Sequence, residues 1–543
     1  MIKNLFSKFF NKKKSNLSFL GEKSKDEDYN FSLIEYYFKH KIHLNKFQIM
    51  NDRIMNDIDF QELFILMDRT YSNIGQQYLY DRLLTIDEKI DFKEQEDLID
   101  FFIEHEEKKI KIQLLLSKLK RRESYYISNL FLDGYISKPK WFWVIRMLFV
   151  VSLIAFVFTF FYAKISIFLF FIYLINMAVY FWNKRNIMVY MDSIPQLLIF
   201  CSIAKEINKM GIIFGSKSQV LDSIKSILNL KSSIRFFKLN AGVKSEFEAV
   251  ILFVWENIKI LFLLEPLTVF YVLNKLELKR NDIQTLFEFI GKIDIAISIV
   301  SIRQEMPYYC KPTISETKTS FEFIGIYHPL IQDCVPNSLK IKNKSILLTG
   351  SNMSGKTTFI RTIAINVLLA QTINTCFAND FKLSQSRLFS AIRIFDDLLN
   401  NKSYYFEEVL IIKDMINESL SQSNNIFFLD EIFKGTNTIE RIAAGKAVLS
   451  YLAKSDKNIV FVSTHDVELA DLLNNSYDLY HFTEIIQDKQ ICFDYKLKKG
   501  NLSTRNAIRI LEINDYPNEI IKEAKAIAYI LQGKNNLENK ITT

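Results

Sequence analysis

The longest apolar stretch of the chain covers residues 141–182. Its only charged residues are Arg146 and Lys164, and it is about twice as long as the ~20 residues that one membrane-spanning helix needs. Because Lys164 stands near the midpoint, the pattern predicts two transmembrane helices, at about 142–162 and 165–182, joined by a short turn. Hydrophobic residues make up 49% of the chain and Phe occurs 47 times, which exceeds what a soluble globular chain needs.

Basic residues flank this predicted hairpin, residues 139–184, on both sides. They are Lys138, Lys140 and Arg146 near its start and Lys184 and Arg185 at its end. Because positive charge favours the cytoplasmic side, both chain ends are expected to lie in the cytoplasm, with the hairpin in the inner (cytoplasmic) membrane. The alternative is a helical hairpin buried in a large soluble core, although a core helix seldom lacks a polar face.

A second apolar stretch, residues 249–275, contains Glu256, Lys259, Glu265 and Pro266. Charged side chains at those depths are costly in lipid. The stretch is therefore predicted to form a buried core helix rather than a third span. Helix-period patterns with few breakers surround both stretches and indicate a mainly helical region.

Charge and cysteine content carry little information about function. The 69 basic and 61 acidic residues give a formal net charge of +8, a mild excess that does not by itself indicate nucleic acid. The five cysteines include no CxxC pair, which excludes a disulfide framework or cysteine metal site and fits a reducing cytosol. They are Cys201, Cys310, Cys334, Cys376 and Cys492.

A glycine-rich loop stands between a strand pattern and a helix pattern. Residues 345–349 (SILLT) form an apolar strand run, residues 350–357 read GSNMSGKT, and an apolar-periodic helix follows, as a P-loop requires. Backbone N–H groups of such a loop face the phosphates of ATP, and the helix N-terminus favours their charge. Lys356 is expected to reach the β- and γ-phosphates, and the Thr357 hydroxyl to ligate Mg²⁺. The predicted nucleotide-binding residues are Gly350, Ser351, Asn352, Met353, Ser354, Gly355, Lys356, Thr357 and Thr358.

Two further strand patterns end in polar residues. Residues 426–429 (IFFL) precede Asp430 and Glu431, and residues 458–466 contain His465. Asp430 is expected to hold Mg²⁺ and Glu431 to orient the attacking water, a hydrolytic arrangement. A parallel sheet with its ligand at the carboxyl ends would bring these groups together. Glu431, Lys356 and His465, the last as a γ-phosphate sensor, are therefore the predicted catalytic residues of an ATP hydrolase.

At these residues the chain resembles the MutS family of DNA mismatch-repair ATPases. The resemblance lies in TGSNMSGKTTFIRTIAINVLLAQ (349–371), LDEIFKGTNT (429–438), DDLLNNKSYYFEE (396–408) and YHPLI (327–331). It implies a homodimer with composite ATP sites, in which Ser403 reaches the nucleotide of the neighbouring subunit. It also implies a role in DNA mismatch repair and mismatched-DNA binding, so that DNA is a possible partner.

The resemblance extends to two helical segments, 67–84 and 292–312, which look like the start and end of the lever domain of the family. Because the lever-like pattern starts near residue 50, we expect no counterpart here of the N-terminal mismatch-reading domains or the DNA clamp of the family. Ser351 replaces the usual proline of the family, and Phe433-Lys434 replaces a Gly-Arg pair.

The predicted fold is a multidomain α plus α/β protein. A helical lever or core domain carries an inserted transmembrane hairpin, and a C-terminal P-loop (ABC-type) ATPase domain contains a mainly parallel sheet. The predicted divisions are a basic tail at 1–28, helical core at 29–138, hairpin at 139–184, helical core or lever at 185–318, and ATPase domain at 319–543.

Two function classes remain open from the sequence. In the first, a membrane-anchored MutS-like ATPase associates with DNA. In the second, a membrane mechanochemical ATPase without DNA recognition passes closure of its ATPase heads to a membrane partner through the hairpin, residues 142–182. A nucleotide-driven exporter is disfavoured, because two spans cannot line an ordinary pathway and no LSGGQ signature occurs.

Overall fold

The structure is a computed structural model, and contacts between its residues divide the chain into two units. The helical unit comprises Met1–Lys46 and Leu66–Glu305, and the α/β unit comprises Phe47–Ile65 and Met306–Thr543. The residues that the structure describes are 29–132, 140–212, 217–230, 246–315, 321–341, 344–351, 354–393, 404–487, 490–501, 508, 511–512 and 516–541.

Helices dominate the described part of the helical unit. They are α1 (Phe31–Ile34), α2 (Tyr36–His40), α5 (Asn73–Leu84), α6 (Lys93–Glu104), α7 (Glu106–Leu116), α8 (Phe142–Thr159), α9 (Ile165–Lys209), α10 (Lys217–Leu228), α11 (Glu246–Leu261), α12 (Leu264–Glu277) and α13 (Arg280–Glu305). Two 3₁₀ segments, Ser117–Leu119 and Arg122–Leu130, precede α8, and a short strand β2 (Thr85–Asp87) follows α5.

Helices α5 and α13 pack closely at two glycines. A Cβ atom at Gly75 would collide with the Asp294 side chain, and one at Gly291 would collide with the Tyr78 ring. Ser72 caps α5 by accepting the Gly75 N–H at 2.9 Å, and its own N–H donates to Asp294 at 2.8 Å. Burial raises the pKa of Asp294 to about 7. The centre of this unit is therefore tightly packed around a buried, hydrogen-bonded carboxyl group.

Two helices among the described residues are long and apolar enough to cross a membrane. They are α8 and the first part of α9, Ile165–Trp182, with mean hydropathies of 2.3 and 2.0. Only 22% and 17% of these two segments are buried. The first helix ends at Thr159 rather than at residue 162, and the second does not end at residue 182 but continues to Lys209. The apolar segments thus lie where the sequence predicts them, but the second helix continues past Trp182 and through Pro195.

The second apolar stretch forms two helices, α11 and α12, instead of one core helix. They are separated at Leu263, which has a left-handed backbone with φ of 46°. Helix α12 is largely buried, whereas α11 exposes several large apolar side chains. The prediction of a buried core helix was wrong for α11, since charged residues inside an apolar stretch do not reveal which face of the helix meets solvent.

The α/β unit contains strands and helices in alternation. Its strands are β3 (Thr313–Ser315), β4 (Phe321–Ile326), β5 (Asn337–Ile341), β6 (Ser345–Thr349), β7 (Asp380–Ser384), β8 (Ser386–Ala391), β9 (Asn424–Asp430), β10 (Asn458–Thr464), β11 (Tyr477–His481), β12 (Glu484–Gln487), β13 (Gln490–Phe493) and β14 (Lys498–Lys499). Its helices are α14 (Lys356–Ile373), α15 (Tyr404–Glu418), α16 (Thr438–Leu452), α17 (Val467–Leu473) and α18 (Asn518–Ile541).

A six-stranded sheet in the order β14-β11-β6-β10-β9-β8 forms the centre of the α/β unit. All neighbours are parallel except β14, which is antiparallel to β11. Strands β6 and β10 are buried along their whole length, as expected for apolar runs in a parallel sheet that is covered on both faces. A second, four-stranded sheet has the order β3-β7-β4-β5. The predicted combination of a helical region with an α/β region is confirmed.

An N-terminal segment, Phe47–Ile65, also belongs to the α/β unit. It contains strand β1 (Lys46–Ile49) except for Lys46, helix α3 (Asp52–Asp57) and the start of α4 (Phe60–Met67). The Asp57 carboxylate accepts the backbone N–H groups of Ile392 and Arg393 at 3.1 and 2.7 Å. The sequence analysis had assigned this segment to the helical core. Its attachment depends on contacts more than 300 residues apart in the chain, which no local pattern reveals.

Candidate functional site

The glycine-rich loop connects the carboxyl end of β6 to the start of α14. Gly350 and Gly355 have φ values of 148° and 100°, which side chains with a Cβ rarely adopt. A Cβ at Gly350 would also lie 2.8 Å from the Phe482 carbonyl oxygen and 2.8 Å from the Ser354 hydroxyl. The Ser354 hydroxyl donates to the Ser351 carbonyl at 2.8 Å. The two glycines are therefore required by the tight turn of this loop.

Two predicted residues of the loop, Asn352 and Met353, lie outside the described residues. Ser403, the predicted residue of the signature loop, also lies outside them. Their placement stays a prediction.

Lys356 is the first residue of α14, and its side chain folds back over the loop. Its Nζ donates to the carbonyl oxygens of Gly350 and Ser351, at 2.8 Å in each case. Burial lowers the pKa of Lys356 to about 8, although the nearby carboxylates of Glu431 and Asp430 act in the opposite direction. A buried ammonium group thus faces the concave side of the loop, where an anion would meet it.

Thr357 and Asp430 meet next to this lysine. The Thr357 hydroxyl donates to Asp430 Oδ2 at 2.7 Å, and the Ser463 hydroxyl donates to Asp430 Oδ1. Ser463 is paired with Asp430 in the register of β10 and β9, so the sheet itself fixes this contact. The role of Ser463 cannot be predicted from the sequence, because a serine inside a strand gives no signal of its own.

Glu431 and His465 lie at the same sheet edge. Glu431 has a left-handed backbone with φ of 54°, and its N–H donates to the Ser463 carbonyl at 3.0 Å. Its carboxylate contacts His465 Nε2 and lies 2.7 Å from Lys434 Nζ. The other ring nitrogen of His465 lies 3.0 Å from the Gly350 carbonyl oxygen. His465 therefore links the glycine loop to the acidic pair.

The electrostatic surroundings keep Glu431 ionised. Burial by itself raises the pKa of Glu431, but hydrogen bonds and charge from His465 and Lys434 outweigh it and lower this pKa to about 2. Lys434 was noted in the sequence only as a departure from the family pattern. Its ion pair with Glu431 is a contact that the sequence analysis did not predict.

A cavity of 520 Å³ lies beside the start of α14. This volume is within the range of small-molecule sites. Its walls come from the start of α14, from residues after the YHPLI segment and from two aromatic side chains. The lining residues include Gly355, Lys356, Thr357, Thr358, Phe359, Ile331, Asn337, Phe482 and Tyr495. Ile331 and Phe359 belong to quoted motifs, but outside the loop no residue of this lining was predicted to bind nucleotide, since only the fold brings these ordinary residue types together.

Thr357 and Asp430 are the candidate metal ligands of the site. Among the residues described, no cluster of three or more His, Cys, Asp or Glu side chains could hold a metal ion. The Thr357 hydroxyl and the Asp430 carboxylate are nevertheless the oxygen donors that Mg²⁺ prefers, and Mg²⁺ commonly takes its remaining ligands from water and substrate phosphates. This donor pair fits Mg²⁺ rather than a transition metal.

The fold and site together define a class of multidomain protein. A helical region accompanies an α/β region whose polar site lies where a glycine loop and the ends of β9 and β10 meet. Comparison with known proteins agrees with this description. The sequence profile of MutS domain V matches residues 346–532.

Three curated relatives are each called DNA mismatch repair protein MutS. The one from Prochlorococcus marinus (strain MIT 9301) is 27% identical over 281 residues, which cover 48% of this chain and 30% of the relative. Those from Pseudothermotoga lettingae and Persephonella marina are 30% and 32% identical over 267 and 252 residues. These matches cover 47% and 45% of this chain and 32% and 28% of the relatives.

These matches, over about half of the chain, support membership of the MutS family. The matched part spans about a third or less of the length of these relatives. The membership therefore concerns mainly the α/β unit described above.

Proposed function

We propose that this chain binds ATP with Mg²⁺ and hydrolyses it at the strand-end site of the α/β unit. The observation that carries this proposal is the convergence of Lys356, Thr357, Asp430, Glu431 and His465 around one glycine loop. The same five residues were singled out in the sequence from three separate segments.

Phosphate binding is assigned to the loop and to Lys356. Lys356 Nζ now donates to two loop carbonyls, and a phosphate would offer it a charged acceptor in their place. The first N–H groups of α14 have no partner within the helix, so they favour an anion at this position. Residues Gly350 to Thr358 are thus proposed as the phosphate site, with the adenosine part in the cavity lined by Phe482 and Tyr495.

Thr357 and Asp430 are proposed to hold Mg²⁺. When bound, this ion would neutralise charge on the phosphate oxygens. Ser463 donates to Asp430 and so orients the carboxylate. Glu431 is proposed to position the attacking water. A carboxylate with a pKa of about 2 is a weak base, so orientation of the water is the role that its surroundings favour. His465 is proposed to respond to the γ-phosphate, since it contacts both Glu431 and the loop.

Family membership suggests that two copies of the chain share their ATP sites. Ser403 of one copy would then complete the site of the other. Mixing Ser403→Ala chains with Lys356→Ala chains tests this directly. A mixed dimer contains one site with an intact Lys356 and an intact Ser403, so activity should partly return. If each variant is inactive alone and the mixture stays inactive, the shared site is contradicted.

The wider role is proposed as that of a membrane-anchored, MutS-like ATPase. Helix α8 and the segment Ile165–Trp182 of α9 form the anchor in the inner membrane, with both termini and the ATPase in the cytoplasm. Family membership, through relatives called DNA mismatch repair protein MutS, suggests mismatched DNA as the partner. The alternative is a membrane mechanochemical ATPase without DNA recognition, in which closure of the ATPase heads is passed through the same helices to a membrane partner.

ATPase assays in detergent distinguish these two roles. The purified chain would be assayed with homoduplex, mismatched and branched DNA over a range of salt concentrations. A DNA role predicts a higher hydrolysis rate and measurable DNA binding, both weakened by salt. If no DNA changes the rate or binds at low salt, the mechanochemical role is favoured and the DNA role is contradicted.

A further inference from the structure

Helix α11 distributes its side chains in the opposite way to a helix of a soluble protein. Its apolar residues Val250, Ile251, Phe253 and Val254 are between 51% and 69% exposed. By contrast, Lys259 of the same helix is only 3% exposed. In water, apolar side chains are favoured inside and charged ones outside. This reversal is the arrangement that a lipid environment favours.

The buried charges of this region are compensated by each other. Lys259 Nζ lies 2.7 Å from Glu256 and 3.6 Å from Glu265, which is 4% exposed and belongs to α12. The Tyr180 hydroxyl lies 3.0 Å from Glu256 Oε2 and donates to Glu265 Oε2 at 2.8 Å. Tyr180 belongs to the apolar segment of α9, so this cluster joins α9, α11 and α12. Charged groups within a membrane are tolerated when they face the bundle interior and pair in this way.

The joint between α11 and α12 lies against the middle of the two candidate spans. The Asn176 side chain donates to the Leu261 carbonyl at 2.6 Å and to the Ser152 hydroxyl at 2.8 Å. Asn176 is roughly 16 Å of helix from Ile165 and roughly 9 Å from Trp182. The bond to Leu261 satisfies a carbonyl at the end of α11, where helix carbonyls lose their partners and lipid supplies none.

Helix α12 leads from this joint back toward the starting end of α8. The Phe262 ring at the joint lies 5.7 Å from the ring of Phe156, and the Phe270 ring lies 5.1 Å from that of Phe142. Phe142 is the first residue of α8, whereas Phe156 is near its end. Helix α12 therefore lies along α8 from the level of Phe156 to its first residue.

We infer that residues 246–277 form a re-entrant helical pair, which inserts beside the two spans and contacts lipid acyl chains through Val250, Ile251, Phe253 and Val254. This inference rests on the proposed membrane anchoring by α8 and α9. The membrane part of the chain then consists of four helical segments held together by the buried charged cluster. Of the charges that argued against insertion, Lys259 and Glu265 point inward, and the half-buried Glu256 is paired with Lys259.

Photolabelling of the unmodified chain tests the inference. The full-length protein is reconstituted in phosphatidylcholine vesicles that contain a lipid with a diazirine at the end of its acyl chain. After irradiation, labelled peptides are identified by mass spectrometry. We expect label on 142–159, on 165–182 and on 246–261. Helix α16 is the control, because its Ile439 is 82% exposed yet lies in the α/β unit.

The outcomes separate this inference from the membrane anchoring on which it rests. Label on 142–159 and 165–182 but not on 246–261 would overturn the re-entrant pair and leave the anchor intact. No label on any of the three peptides would overturn the anchor as well. Label on α16 equal to that on 246–261 would show reaction with exposed apolar surface in general and would also overturn the inference.

A second measurement, fluorescence quenching of single tryptophans, tests the lipid contact at position 253. All four native tryptophans are changed to Phe, and a single Trp is introduced at Phe253, at Phe168 of α9 or at Tyr451 of the α/β unit. Lipids brominated in mid-chain should quench Trp at 253 and 168 and leave Trp at 451 unchanged. Quenching at 168 without quenching at 253 would contradict the inference, including the case in which a second copy of the chain covers this face.

Discussion

The α/β unit and the α8–α12 region of the helical unit bury charge in different settings. In the α/β unit, apolar side chains fill the sheet, and charged groups collect at the strand ends, where Lys356, Asp430 and Glu431 meet. In the α8–α12 region, Lys259 and Glu265 lie inside and apolar side chains lie outside. In both places the buried charges have partners at hydrogen-bond or ion-pair distance. The two regions differ in where their apolar side chains lie, inside the α/β unit and on the outside of the α8–α12 region.

This difference in exposed side chains indicates whether water or an apolar environment favours each region. A soluble unit gains free energy by moving apolar area away from water, and the α/β unit follows that rule. A helix that leaves Phe253 exposed and buries Lys259 loses free energy in water on both counts. The proposed membrane anchoring accounts for such a helix, because lipid would cover its apolar face.

Removal of the buried lysine has the largest expected effect on stability. Lys259→Ala leaves Glu256 and Glu265 without their cation, so we expect a loss of about 3–5 kcal/mol in the free energy of unfolding. Lys225→Ala is the control, because Lys225 forms an exposed pair with Asp222 at 3.7 Å that should contribute little. Chemical unfolding of both variants in detergent measures the difference. Equal losses would mean that the Lys259 cluster faces water.

Glu431→Gln should affect activity rather than stability. Loss of the carboxylate that orients water should lower the hydrolysis rate about 10²- to 10³-fold and leave ATP affinity little changed. Glu440→Gln, on the exposed first turn of α16, should keep the rate of the unchanged chain. Single-turnover hydrolysis and nucleotide binding are the measurements. An unchanged rate for Glu431→Gln would contradict the role of the strand-end site.

Asp57→Ala tests whether the segment Phe47–Ile65 contributes to the stability of the α/β unit. The variant leaves the N–H groups of Ile392 and Arg393 without their acceptor, and an unsatisfied buried donor costs about 1–3 kcal/mol. Asp52→Ala, which removes an exposed carboxylate of the same helix, should have a smaller effect. Thermal unfolding of both variants measures the losses. Similar small losses would mean that Phe47–Ile65 contributes little to the α/β unit.

The smallest expected effect is a pH dependence of nucleotide affinity. Burial gives Lys356 a pKa of about 8, below its ordinary value, so the free protein loses this positive charge as the pH rises through 8. ATP binding needs the charge, and the affinity should therefore fall by about tenfold per pH unit above that point. Lys356→Arg should remove this dependence, since Arg stays charged. Binding measured from pH 7 to 10 tests it, and a flat profile for the unchanged chain would contradict it.

The sequence predicted the parts of the structure that depend on local order. The apolar runs of β6, β9 and β10, and the glycines beside Lys356, specify a parallel sheet with polar groups at its edge through spacing alone. Contacts between segments that are far apart in the sequence could not be predicted, because no local spacing of residues encodes them. The cluster of Tyr180, Glu256 and Glu265 joins residues 76 and 85 positions apart, so the charges in residues 249–275 looked unpaired in the sequence. Ser463 and Phe47–Ile65 were missed for the same reason.

Binding of ATP to the purified chain, with and without Mg²⁺, tests the central claim most directly. Titration calorimetry of the unchanged chain should show saturable binding that is strengthened by Mg²⁺. Lys356→Ala should bind about 10- to 100-fold more weakly, as expected for loss of a charged hydrogen bond, whereas Lys340→Ala on the exposed surface should bind normally. No affinity of the unchanged chain for ATP with Mg²⁺, or equal affinity for Lys356→Ala, would contradict the proposed site.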